Sequence, residues 1–119
     1  MSDISSLLVE VQQALATKNI AHAQRLIDQL KIDSPEDPDA RYFSCLLLRL
    51  QGKHSEALPS LLALTQDFPD HARALQETAT VSLALNEPKR AYQSAERAVT
   101  LDPSLLQCWQ YLIPLRQKF

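Results

Sequence analysis

One glycine in 119 residues, Gly52, is too few for a protein built on sheets, whose tight turns draw on glycine's freedom at positive φ. Its scarcity favours helices joined by short loops. Long apolar runs are missing as well, and no window approaches the roughly 20 residues that a membrane-spanning helix needs. The N-terminus carries Asp3 and Glu10, with neither a basic lead nor an apolar stretch of signal-peptide length. Runs of basic residues are absent too. The net charge is −2 with both signs interspersed, which argues against nucleic acid or an anionic membrane as partner.

The residues that chemistry would require are equally sparse. Cys45 and Cys108 have no metal-ligand spacing and read as reduced thiols, packed as small apolar groups in a cytoplasmic protein. His22, His54 and His71 are spread along the chain without the spacing of a zinc site. The densest acidic stretch, Asp33, Glu36, Asp37 and Asp39, fits no calcium loop. A phosphate-cradling loop cannot be built with one glycine, and neither cysteine has a histidine beside it in sequence. No catalytic, cofactor or metal-binding residue is assigned, and no enzyme is expected within these residues.

What the chain does have is a period. Pro35, Pro69 and Pro103 lie 34 residues apart, and Ala23, Ala57 and Ala91 keep the same step. Gly52 and Asn86 are also equivalent in this register, and both residue types readily take the left-handed conformation that closes a helix. Apolar spacing then predicts helix pairs over about 3–17 and 20–33, 38–51 and 55–67, and 72–85 and 88–101, with a seventh helix beginning near 104. Pro38, Pro59, Pro88 and Pro103 fall at or near helix starts, where a missing amide hydrogen matters least, and Pro114 should kink or end the last helix. The small residues Ala23, Ala57 and Ala91 should mark where the two helices of a pair approach closely.

This pattern resembles the tetratricopeptide repeat, whose signature runs from a bulky residue through Leu–Gly, Tyr and Ala to Phe, Ala and Pro. The third repeat offers Leu75, Ala79, Ala91, Ala98, Leu101 and Pro103 at the matching places. The second offers Cys45, Gly52, Ala57, Leu61, Leu64 and Pro69, and the first Leu7, Ala14, Ala23, Ile27, Leu30 and Pro35. Trp109 and Leu112 open a fourth. Departures are Val11 and Ile113, bulky where the family prefers glycine or alanine and so expected to loosen helix approach, and Leu48 and Ser82 in place of tyrosine. The resemblance implies an all-α, right-handed superhelix (solenoid) of seven helices in a single domain. Its repeats would span about 4–37, 38–71 and 72–105, with a half-repeat or capping helix over 106–119.

The resemblance also implies a concave groove, lined by the first helix of every hairpin, that holds an extended peptide or a helix of a protein partner. Carried across by position, the groove residues are Leu8, Gln12 and Leu15, then Tyr42, Phe43, Leu46 and Arg49. Arg73, Gln76, Glu77, Thr80 and Leu83 continue the line, and Gln110 and Tyr111 close it. Tyr42 and Arg49 recur after seven residues and so share a helix face, which reads equally as an anchor for a carboxylate or carbonyl and, for Tyr42 with Leu46, as packing between repeats. Family members that grip acidic chaperone tails use a clamp of lysines, asparagines and arginine. Here Leu8, Gln12, Phe43, Arg73 and Glu77 occupy those places, which argues against that ligand.

The last helix, with Trp109, Leu112 and Phe119, is apolar on more than one side. A solenoid end of that kind expects cover, from further chain in a longer parent protein or from a second copy in a homodimer. The alanine- and leucine-rich style of residues 69–112 is also similar to stacks that precede the catalytic domain of bacterial sulfotransferase-like proteins. On that reading the chain is an interaction or regulatory module of a larger enzyme.

Overall fold

The computed structural model describes residues 4–116. Its helices are α1 (Ile4–Ala16), α2 (Ile20–Asp33), α3 (Pro38–Leu50), α4 (His54–Asp67), α5 (Ala72–Ala84), α6 (Pro88–Leu101) and α7 (Leu106–Leu115). They form three antiparallel hairpins and one further helix, stacked into a body of 50 × 26 × 23 Å. The described residues contain no strand.

The period sets the joints. Lys18, Gly52 and Asn86 stand 34 residues apart and all adopt positive φ, at 58°, 78° and 60°. Each closes the first helix of its hairpin in the same way. The next residue's amide reaches back to Ala14, Leu48 or Ser82, in each case at 2.8 Å, so terminal carbonyls that the helix leaves open are satisfied. Gly52 adopts this conformation freely and Asn86 tolerates it, whereas Lys18 holds it against the crowding of its own Cβ on the following carbonyl oxygen. Pro35, Pro69 and Pro103 follow the second helices by two residues, where a helix cannot continue through them.

The expected helix bounds hold to within a residue or two. The largest shift is α7, which starts at Leu106 because residues 102–105 form a turn of their own. The Asp102 carboxylate accepts from the Ser104 amide at 3.1 Å and from its hydroxyl at 2.6 Å, which keeps its pKa low. Pro59 sits one turn inside α4 with its ring exposed, and Pro114 lies one residue before the end of α7.

Small residues set how closely the hairpin helices approach. Ala79, Ala91, Ala95, Ala98 and Ser82 are fully buried between α5 and α6, and these two helices stay close along much of their length. The α1–α2 pair carries Val11, Ile27 and Leu30 instead, and it and the α3–α4 pair touch less extensively than α5 and α6 do. Ala23 and Ala57 are likewise fully buried.

The odd-numbered helices touch one another in series, α1 to α3 to α5 to α7. Among the described residues the even-numbered helices do not touch each other; each packs instead on the odd helix that follows. A stack whose one layer is continuous and whose other layer is splayed curves toward the continuous side. The odd helices therefore line the inner face, and α2, α4 and α6 the outer one.

Candidate functional site

The inner face is held by side chains that bridge successive odd helices. On α3, Tyr42 and Phe43 are both buried, with ring centroids 5.2 Å apart and planes tilted by 56°. Arg73 of α5 lays its guanidinium over them, 4.9 Å from the Tyr42 centroid and 5.9 Å from that of Phe43. Burial raises the Tyr42 phenol pKa and the charge of Arg73 opposes the rise. The cation beside Tyr42 is thus Arg73, and not Arg49, whose shared helix face had suggested the pairing.

Arg49 is taken by Glu77, in a direct ion pair between α3 and α5. Glu77 is only 3% exposed, so it is an inter-helix strut, whereas its position in the register had placed it on the groove surface. Burial raises its carboxyl pKa, and the hydrogen bond and charge of Arg49 pull it back. Its negative charge is matched by that arginine, so the repulsion of a ligand carboxylate expected from Glu77 does not follow from this geometry.

Further along, Thr80 of α5 meets the Tyr111 hydroxyl of α7 at 2.9 Å. Gln76 faces Gln107 at 3.5 Å and accepts a long contact from the Cys108 thiol at 3.7 Å. At the other end, His71 caps α5. Its Nδ1 accepts the Ala74 amide at 3.1 Å, which leaves the proton on Nε2 to donate to Asp39 at 3.0 Å. Of the remaining groove positions, Gln12 and Gln110 are exposed, Leu8, Leu46 and Leu83 are half-buried, and Leu15 is buried in the core.

The end helix differs from expectation in which side is bare. Leu112 is buried, and Trp109 is half-buried with its indole N–H donating to the Pro103 carbonyl at 2.9 Å. Both face the α6–α7 contact, where Cys108 is also buried. The exposed apolar residues of α7 are Leu106 and Ile113, 73% and 68% accessible. Phe119 lies outside the described residues.

A second concavity, which the sequence reading did not anticipate, opens on the outer face between α2 and α4 with α3 as its floor. Its volume is about 350 Å³. Gln24, Ile27 and Lys31 line it from α2, Arg41, Ser44 and Cys45 from α3, and Ser60 and Ala63 from α4. Arg41 is held in place by Asp67 at 2.9 Å and by the Phe68 ring 5.9 Å away. Cys45, buried at the floor, has its thiol pKa pushed up to about 11 by burial. The signal lay in the register. Residues 24, 31, 34 and 41 are polar, while the positions 34 further on are Leu58, Thr65, Phe68 and Leu75.

Among the described residues no group of three or more His, Cys, Asp or Glu side chains is placed to hold a metal ion. No helix among them is long and apolar enough to cross a membrane.

Three hairpins in one register, closed alike and curved around an inner face, define a helical-repeat solenoid. Its fold is that of tetratricopeptide-repeat proteins. The tetratricopeptide domain of Sgt2 from Aspergillus fumigatus superposes with a TM-score of 0.83 at 18% identity, over 96% of this chain and 77% of that one. A chain in the structure of Naa15/Naa10 bound to HypK-THB matches at 0.84 and 18%, over 95% of this chain and 17% of its own length. YrrB, described as a tetratricopeptide-repeat protein with an unusual peptide-binding site, matches at 0.74 and 17%, over 92% of this chain and 57% of that one. No protein-family model matches the sequence, and no curated protein does.

Proposed function

We propose that this chain is a protein-interaction scaffold that holds a peptide or helix of a protein partner against its inner face. The observation that carries the reading is the exposed Arg73 guanidinium seated on Tyr42. The ring fixes the plane of the guanidinium, and its edge donors stay available to a carbonyl or carboxylate of the guest. Gln12, Gln76 and Thr80 add amide and hydroxyl groups along the same side, and Leu8 and Leu46 supply apolar contact. The chain's similarity to YrrB, itself described by a peptide-binding site, supports the same reading. The two free, buried cysteines suit a reducing, cytoplasmic compartment.

A display library of linear peptides selected on the intact chain tests this. Selected peptides should lose roughly tenfold or more in affinity on Arg73→Ala, the size of effect a central anchor gives. Unchanged affinity on that variant would remove the inner face from the reading. Self-association is a second reading, favoured by exposed Leu106 and Ile113, and light scattering that finds a monomer at every concentration would dismiss it.

A further inference from the structure

We propose that the outer cleft between α2 and α4 is a second binding site, separate from the inner face, and that it takes an acidic side chain of a peptide. Four observations lead there.

The first is charge. Lys31 and Arg41 line the cleft, and no carboxylate does. The remaining polar lining is made of neutral groups able to donate, Gln24, Ser44 and Ser60 among them. Both cations also reach the buried Cys45 thiol at the floor, where burial and the Glu77 charge raise the pKa and Arg41 and Lys31 oppose the rise.

The second is register. At the equivalent place between α4 and α6, Leu58 and Leu75 are buried and Phe68 half-buried, and at the third junction Tyr92, Val99 and Trp109 take part in the core. The first junction alone is polar at all four places, Gln24, Lys31, Ser34 and Arg41, whereas the second is polar at one of them, Thr65, and the third at one, Asp102. A polar lining facing an opening, in a fold whose neighbouring copy is packed shut, forgoes apolar burial that the backbone permits.

The third is the posture of Arg41. Asp67 and the Phe68 ring hold its guanidinium, and the pairing carboxylate is itself more than half exposed. A guanidinium has five N–H donors, so the Asp67 contact leaves several for a second carboxylate.

The fourth is size and surroundings. A cleft of about 350 Å³ is at the small end of ligand sites, which run from roughly 300 to 1,000 Å³. It holds one or two side chains. Ile27, Leu47 and Leu48 give it apolar walls for the stem of a glutamate or for an aliphatic neighbour. An extended polyanion is disfavoured, because the loop from which Ser34 and Pro35 line the cleft continues into Glu36 and Asp37, and the chain is net negative.

The test is a titration of the full chain, followed by backbone amide NMR shifts, with N-acetyl-leucyl-glutamic acid amide as probe. Its glutamine counterpart and inorganic phosphate serve as the comparison probes. The variant is Lys31→Thr with Arg41→Leu, which installs the residue types of the adjoining junction and so closes the cleft with side chains this fold already accepts. Saturable shifts at Ser44, Cys45 and Ser60 are expected, at least tenfold weaker with the glutamine probe and absent in the double variant. Arg73→Ala should leave the titration unchanged, which separates this site from the inner face. Equal response to both dipeptides, persistence in the double variant, shifts centred on Arg49 and Arg73, or tighter binding of phosphate than of the acidic dipeptide would each overturn the proposal.

Discussion

Gln24, Lys31, Ser34 and Arg41 line the gap between α2 and α4, and 34 residues on, between α4 and α6, stand Leu58, Thr65, Phe68 and Leu75. The helices flanking the two gaps have the same lengths, and both hairpins turn through a left-handed residue closed by the same hydrogen bonds. Yet α2 packs on α3 much less closely than α4 packs on α5. One junction is an open cleft with cations in it, and the other is sealed. The backbone register therefore does not decide how tightly successive repeats close. A few side chains that vary between repeats decide it, while the inner layer of odd helices stays continuous through both.

This contrast is tested most strongly by truncating equivalent residues. Leu75 is 1% exposed at the sealed junction, and Leu75→Ala should cost about 2–5 kcal/mol, the lost transfer energy plus the cavity. Arg41 occupies the same place at the open junction, where its ion pair with Asp67 reaches solvent. Arg41→Ala should cost less than about 1 kcal/mol. Chemical denaturation of both variants checks this, and similar losses would mean that the first junction is as well packed as the second.

Overpacking gives the next effect down. Ala57 is fully buried where α3 and α4 approach, so Ala57→Leu should cost about 1–3 kcal/mol. Ala63 lies six residues along the same helix but lines the open cleft. Ala63→Leu has room to enter it and should shift stability by no more than about 0.5 kcal/mol. Thermal melts of the pair read the difference directly, and an equal fall in Tm would refute the register as well as the cleft.

Why the fold was legible and much of the site was not follows from these same residues. Pro35, Pro69 and Pro103 and the buried Ala23, Ala57 and Ala91 are fixed by sterics within one repeat, so identical residues recur at a fixed step. Asn86 and Gly52 announced their turns, whereas Lys18 took the same conformation without a residue type to signal it. The inner face depends on partners from different repeats. Tyr42 and Glu77 were carried by position onto the groove, Tyr42 with packing between repeats as the alternative, and Arg73 and Arg49 from the neighbouring helices close over or pair with them. No single-helix periodicity contains that pairing. The cleft was written in the differences between repeats, at positions 24, 31, 34 and 41, while a period is recognised from the residues that agree.

The smallest expected effect concerns how dry the sealed junction is. Ser82 stands in α5 at the position that Leu48 holds in α3, and the two residues sit oddly for their surroundings. Leu48 is half-buried beside the open cleft, while Ser82 is fully buried with no partner for its hydroxyl among the described residues. An unpaired buried hydroxyl gives up its bonds to water without replacement, so removing it relieves a penalty, and alanine leaves almost the same volume. Alanine also has the higher helix propensity. Ser82→Ala should therefore raise stability by on the order of 1 kcal/mol, read as a higher denaturant midpoint with an unchanged slope. A loss of stability would show that the hydroxyl has a partner in solution, either a buried water or the Thr78 carbonyl one turn back, the kind of acceptor that the Thr65, Thr78 and Thr80 hydroxyls use. If the Ser82→Ala loss is accompanied by loss of a bound water, the second junction is hydrated like the first, and the distinction between an open and a sealed repeat reduces to a difference in charge.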